Sequence, residues 1–123
     1  MMRPMLRPVL RRWMLATVVG VAVSLGSAPP VLAHVLKVFA EVNGDLIVGQ
    51  GYFSGGSFPT NLAVDIFGPG RQKIGQVITD AQGKFSFKPT KRQNHTFVID
   101  AGEGHRAEWT VESDELPASL PAR

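Results

Sequence analysis

The sequence predicts an all-β fold, a seven-stranded antiparallel β-sandwich behind an N-terminal signal helix. Three observations lead to this. After residue 33, apolar side chains recur at every second position in seven short segments. Gly, Pro, Asn and Asp punctuate those segments roughly every ten residues, the spacing of strands in a sandwich. No amphipathic helical pattern of useful length follows the first 33 residues.

The segments read as follows. Leu36, Val38, Ala40 and Val42 alternate with Lys37, Phe39 and Glu41, which gives a first strand half buried on one face. Asn43-Gly44 is a tight-hairpin signal, because both residue types tolerate positive φ. Leu46 to Phe53 is the return strand, and "SGGSFPTN", Ser54 to Asn61, is a loop by composition, with Ser54–Ser57 expected as a flexible connection. Leu62, Val64 and Ile66 form a third strand, ended by Gly68-Pro69-Gly70, and Lys73 to Thr79 a fourth. Asp80 to Gly83 is a turn, and Phe85 and Phe87 mark a short fifth strand. After a polar loop, Pro89 to Asn94, His95 to Ala101 is the sixth. Gly102-Glu103-Gly104 turns the chain into the seventh, where Ala107, Trp109 and Val111 alternate with Arg106, Glu108 and Thr110. Trp109 is expected as a core or edge anchor. The tail from 113 to 123 carries Pro117 and Pro121 and is expected to be disordered. The β domain thus spans 34–112.

Residues 1–33 read as a secretory signal peptide. Arg3, Arg7, Arg11 and Arg12 form a positive n-region with no acidic residue. Met14 to Leu25 is an apolar run of about a dozen residues, short for a membrane span. Gly26 to Pro30 breaks any helix, and Val31 and Ala33 occupy the −3 and −1 positions of a cleavage site. The expected location is periplasmic or otherwise extracytoplasmic; the alternative is an uncleaved signal kept as an anchor. Four of the thirteen basic residues lie in this segment. The chain from His34 therefore has nine basic and ten acidic residues, formal net charge −1, so the overall basic balance does not indicate nucleic acid. The chain has no cysteine, which removes disulfides, thiolate metal ligands and a lipoprotein anchor. Ninety residues allow one small domain, held by packing alone.

An enzyme is not expected. There is no Gly-x-Ser-x-Gly elbow and no His-Glu-x-x-His. Ser54-Gly55-Gly56-Ser57 lacks the lysine and following helix of a phosphate loop. Metal binding is the chemistry that the residues offer. A cut after Ala33 makes His34 the first residue, with a free α-amine and a ring Nδ1 that together close a six-membered chelate. The amine has a pKa of about 7.7–8.0, so a metal displaces its proton near neutral pH. Nitrogen donors of this kind suit Ni²⁺, Co²⁺, Cu²⁺ and Zn²⁺. If consecutive strands run antiparallel, His34 and His105 start strands at the same end. His105 is then the candidate second ligand, with Glu103 or Asp100 as an oxygen donor. His95 starts a strand at the opposite end, beside Lys91, Arg92 and Asn94, and reads as a solvated loop-edge residue. The competing reading of His105 is a polar hairpin residue bonded to backbone, and that of His34 an ordinary exposed terminus.

Two stretches carry a resemblance. "TDAQGKFSF", Thr79 to Phe87, resembles the Thr-Asp-x-x-Gly-x-Phe signature of carboxypeptidase-regulatory-like, transthyretin-like domains. Locally, Asp80 can bond turn amides, Gly83 can take positive φ and Phe85 can enter the core. "AHVLKVFAEVNGDLIVGQGYFSGG" and "FVIDAGEGHRAEWTV" resemble the small exported accessory subunit of energy-coupling-factor nickel/cobalt uptake systems. The shared layout is a signal, a terminal histidine at His34, Gly49 to Ser54, the Thr79–Phe85 turn, and the Ala101–Glu108 hairpin. The resemblance implies a transthyretin-like or immunoglobulin-like sandwich. It also implies a nickel or cobalt ion as cargo and the membrane subunits of a metal-uptake transporter as partners. No apolar span follows the β domain here, so membrane contact is expected through those partners or an uncleaved signal. Two alternatives stand beside this reading. One is a regulatory-like binding or structural module with no metal role. The other is a periplasmic copper-handling protein, since amine–imidazole donors favour Cu²⁺ over Ni²⁺.

Overall fold

In the computed structural model, residues 34–122 are described. The signal peptide, its helix and the Ala33 cleavage site lie outside the described residues. From His34 onward the chain forms one unit. Its strands are β1 (Leu36–Asn43), β2 (Leu46–Phe53), β3 (Ala63–Phe67), β4 (Lys73–Ile78), β5 (Lys84–Phe87), β6 (His95–Gly102) and β7 (His105–Val111). They form two antiparallel sheets, β1-β2-β5 and β4-β3-β6-β7.

The core lies between the sheets. Leu36, Val38, Ala40, Ile47 and Phe85 contribute from one, and Val64, Ile66, Phe97, Ile99 and Val111 from the other. This is the period-two face that the alternation in β1, β3 and β6 predicts. The β1–β2 hairpin pairs Asn43 with Leu46, so its two-residue connection is Gly44-Asp45, one position beyond the Asn43-Gly44 expected. The chain then crosses to form β3 and β4, returns for β5, and crosses again for β6 and β7. Edge strand β1 consequently packs beside edge strand β7, and β4 beside β5, with no ladder across either junction.

The Thr79–Phe85 segment does what its chemistry suggests. Asp80 Oδ1 accepts the Gln82 and Lys84 amides at 2.8 and 2.9 Å. Those two bonds, Lys84's first, hold the Asp80 carboxyl below its ordinary range. Gly83 has φ +73°, and its carbonyl accepts the Gly51 N–H at 2.8 Å, which ties the turn to β2. Thr79, buried, donates and accepts toward Leu62: its N–H reaches Leu62 O and its Oγ1 receives the Leu62 N–H, both at 2.9 Å.

Three expectations are corrected. The segment after Val111 is ordered rather than a disordered tail. It forms a 3-10 turn at Ser113–Glu115 and places Leu116 in the core with 4% exposure. The Ser113 N–H donates to Asn94 Oδ1 at 2.8 Å and the Arg92 N–H to Pro121 O at 2.7 Å. Prolines suggested disorder, but burial of an apolar residue and satisfied amides hold the chain down. Second, His95 is buried, 1% exposed, rather than solvated. Its Nδ1–H donates to Gln93 O at 2.7 Å and its ring packs against Phe87 at 5.8 Å between centroids. Burial pushes its pKa down. Third, Ser54–Ser57 is a closed turn and not a flexible connection: Gly56 N–H donates to Phe53 O and Phe53 N–H to Ser57 O, each at 2.9 Å. Trp109 pairs with Phe97 on edge strand β7 and stays 44% exposed, an edge position.

Candidate functional site

The site is built where β1 and β7 begin. The N–H of Val35 donates to Ser54 Oγ at 3.0 Å, and the N–H of Ser54 donates to Val35 O at 2.9 Å. These two bonds carry the β1–β2 pairing one residue past Leu36–Phe53. They place His34 beside the Ser54–Ser57 turn. Its imidazole lies against the bare backbone of Gly55: a Cβ there would stand 2.5 Å from His34 Cε1 and 2.6 Å from Nδ1. The histidine is exposed to solvent but seated on one side.

His105 opens β7, paired with Gly102 across the hairpin, and is partly buried. The ring of Phe53 meets it in a T-shaped contact, with centroids 5.8 Å apart and planes at 88°. Phe53 itself pairs with Leu36 in β1. The two histidines therefore start neighbouring edge strands at one end of the molecule, with Phe53 touching one and leading directly into the turn that touches the other. His95 lies at the opposite end, sealed behind Phe87.

The acidic candidates are placed differently. Glu103 occupies a left-handed position, φ +54°, in the exposed Gly102–Gly104 turn. Asp100 Oδ1 accepts the Gly102 N–H at 2.9 Å and so braces that turn. Among the described residues no three His, Cys, Asp or Glu side chains converge as a metal cage. The donors held at this end are two imidazoles, together with the amine that cleavage would expose. Nitrogen donors of this kind are ones that borderline transition-metal ions accept.

A second surface lies on the outer face of the three-stranded sheet and reaches the end of the adjoining β4. Phe39, Glu41, Val48, Lys84 and Ile78 line a groove of about 540 Å³ beside the Asp80 turn. Phe39 and Ile78 are 39% and 52% exposed. The signal for this face was present in the alternation: Phe39 sits in the outward phase between Lys37 and Glu41, where a polar residue is usual.

An all-β protein of two packed antiparallel sheets is the class that these features define. Searches of protein-family models, curated proteins and solved structures find no match to the chain.

Proposed function

We propose that this protein is an exported accessory subunit of a nickel or cobalt uptake transporter, with a transthyretin-like or immunoglobulin-like sandwich. In this reading His34 and His105 hold the divalent ion as cargo at one end of the domain. They present it to the membrane subunits, or the domain steadies those subunits directly. The observation that supports it is the meeting of the β1 and β7 starts at Phe53, so that His34 and His105 lie at the same end. The layout of His34, Gly49–Ser54, Thr79–Phe85 and Ala101–Glu108 gives the nickel/cobalt assignment its content. The reading contains no catalytic step.

Titration of Ni²⁺, Co²⁺ and Cu²⁺ into the protein beginning at His34 tests this reading. One extra residue ahead of His34 keeps the imidazole but replaces the amine with a peptide nitrogen, and should weaken binding more than loss of His95 does. His105→Ala should weaken it about 10–100-fold. Equal affinity with and without the extra residue would overturn the reading. Tight binding of Cu²⁺ with no relation to nickel or cobalt uptake in cells would instead favour a copper-handling role.

A second reading, a binding module with no metal role, is favoured by the exposed Phe39 of the three-stranded sheet and Ile78 of the adjoining β4. Phe39→Ser would then abolish partner association while the metal titrations stayed flat.

A further inference from the structure

We propose that Phe53, Ser54 and Gly55 act together as a positioning element that sets the spacing and orientation of the His34 and His105 imidazoles before any ion arrives. Its purpose rests on the metal reading above; its geometry does not.

β1 and β7 belong to different sheets, and no ladder of backbone hydrogen bonds joins them. Strand register therefore cannot fix the relation between the residues that open these strands. Three consecutive residues supply the missing link, each holding a different part. Phe53 is anchored to β1 through its pairing with Leu36, and its ring stands perpendicular to the His105 ring, with centroids 5.8 Å apart and planes at 88°. Such T-shaped contacts are directional, so Phe53 orients the imidazole as well as limiting its position. Ser54 grips the residue after His34 twice, through its hydroxyl and its amide, at 3.0 and 2.9 Å. Gly55 offers a surface with no side chain, on which the His34 ring lies. A methyl group there would stand 2.5 and 2.6 Å from Cε1 and Nδ1, closer than side-chain carbons come to ring atoms, and 3.1 Å from Nε2, so the ring would have to move. The turn cannot readily retreat, because Gly56 N–H to Phe53 O and Phe53 N–H to Ser57 O close it. A ligand pair held this way loses less freedom on binding than two loose side chains, and loosening it by a fraction of an ångström is felt in affinity.

The test uses the protein beginning at His34, first without metal. NMR should show cross-peaks between the His34 ring protons and the Gly55 Hα protons, and a ring-current shift on the His105 ring protons from Phe53. Gly55→Ala should remove the first signal and Phe53→Leu the second, while Phe53→Tyr keeps it. Each disruptive variant should retain the amide spectrum of the folded domain and weaken Ni²⁺ binding about 10–100-fold, with Phe53→Tyr close to native. If Gly55→Ala fails to fold, Ser54→Ala serves in its place and should broaden or displace the His34 signals. Native cross-peaks that vanish in Gly55→Ala, in a protein that binds no Ni²⁺, would sink the metal reading and leave the positioning element standing. Absence of the His34–Gly55 cross-peaks in the native protein would overturn the proposal, as would native Ni²⁺ affinity in a folded Gly55→Ala variant.

Discussion

The ring of Phe85 rests on the bare backbone of Gly49, its register partner across the β2–β5 ladder. Gly49 faces the core, and the Phe85 ring fills the space that a side chain there would take before packing on Phe97 at 5.5 Å. The two residues form a complementary pair, one large and one absent side chain.

Both halves of the pair should therefore be intolerant. Phe85→Ala should cost about 3–5 kcal/mol by leaving a cavity between the sheets. Gly49→Ala should cost about 1–3 kcal/mol, because its methyl meets the Phe85 ring on one side and the Phe39 carbonyl on the other. Urea unfolding followed by circular dichroism measures both, and a change near zero at Phe85 would place that ring outside the core.

Acid should destabilise the domain in two separate steps. His95 has a folded pKa below its ordinary value because burial disfavours the charged ring. The unfolded chain then binds the proton more readily, so stability is full above about pH 6.5 and falls as pH drops toward the folded pKa. Asp80, held low by the Lys84 and Gln82 amides, contributes stability that is lost only below about pH 3.8. Thermal midpoints from pH 8 to pH 3 should show the first step in native protein and not in His95→Phe. An unchanged first step in that variant would assign it to another group.

Leu116 should matter as much as a strand residue. Leu116→Ala is expected to cost about 2–5 kcal/mol, and truncation after Glu112 at least as much, since it also removes the Ser113 and Pro121 contacts. Leu120→Ala, only partly buried, should cost less. Stability unaffected by the truncation would show that the segment merely lies on the surface.

Export should yield a chain beginning at His34. Intact-mass measurement of protein recovered from outside the cytoplasm should show the loss of residues 1–33. A full-length mass in that fraction would remove the amine from the proposed ligand set and leave only the imidazoles.

The sequence by itself determined what depends on neighbours along the chain. Period-two alternation in β1, β3 and β6, the Asp80–Gly83 turn and the inward Phe85 were all legible, because a strand's faces and a turn's φ angles are set within a few residues. So was the shared end of His34 and His105, which follows from counting antiparallel reversals. Only the tertiary structure decided what depends on residues distant in sequence. That β1 lies beside β7 comes from how two sheets meet, and no local pattern encodes which edges adjoin. His95 looked solvated because its sequence neighbours are charged, yet Phe87 and the closing sheet take it out of water. Leu116 looked like part of a proline-rich tail, yet it joins the buried core between the sheets. The surroundings of Gly55 were equally hidden. A glycine in "SGGS" reads as freedom, and only the tertiary structure brings the His34 ring against its bare backbone.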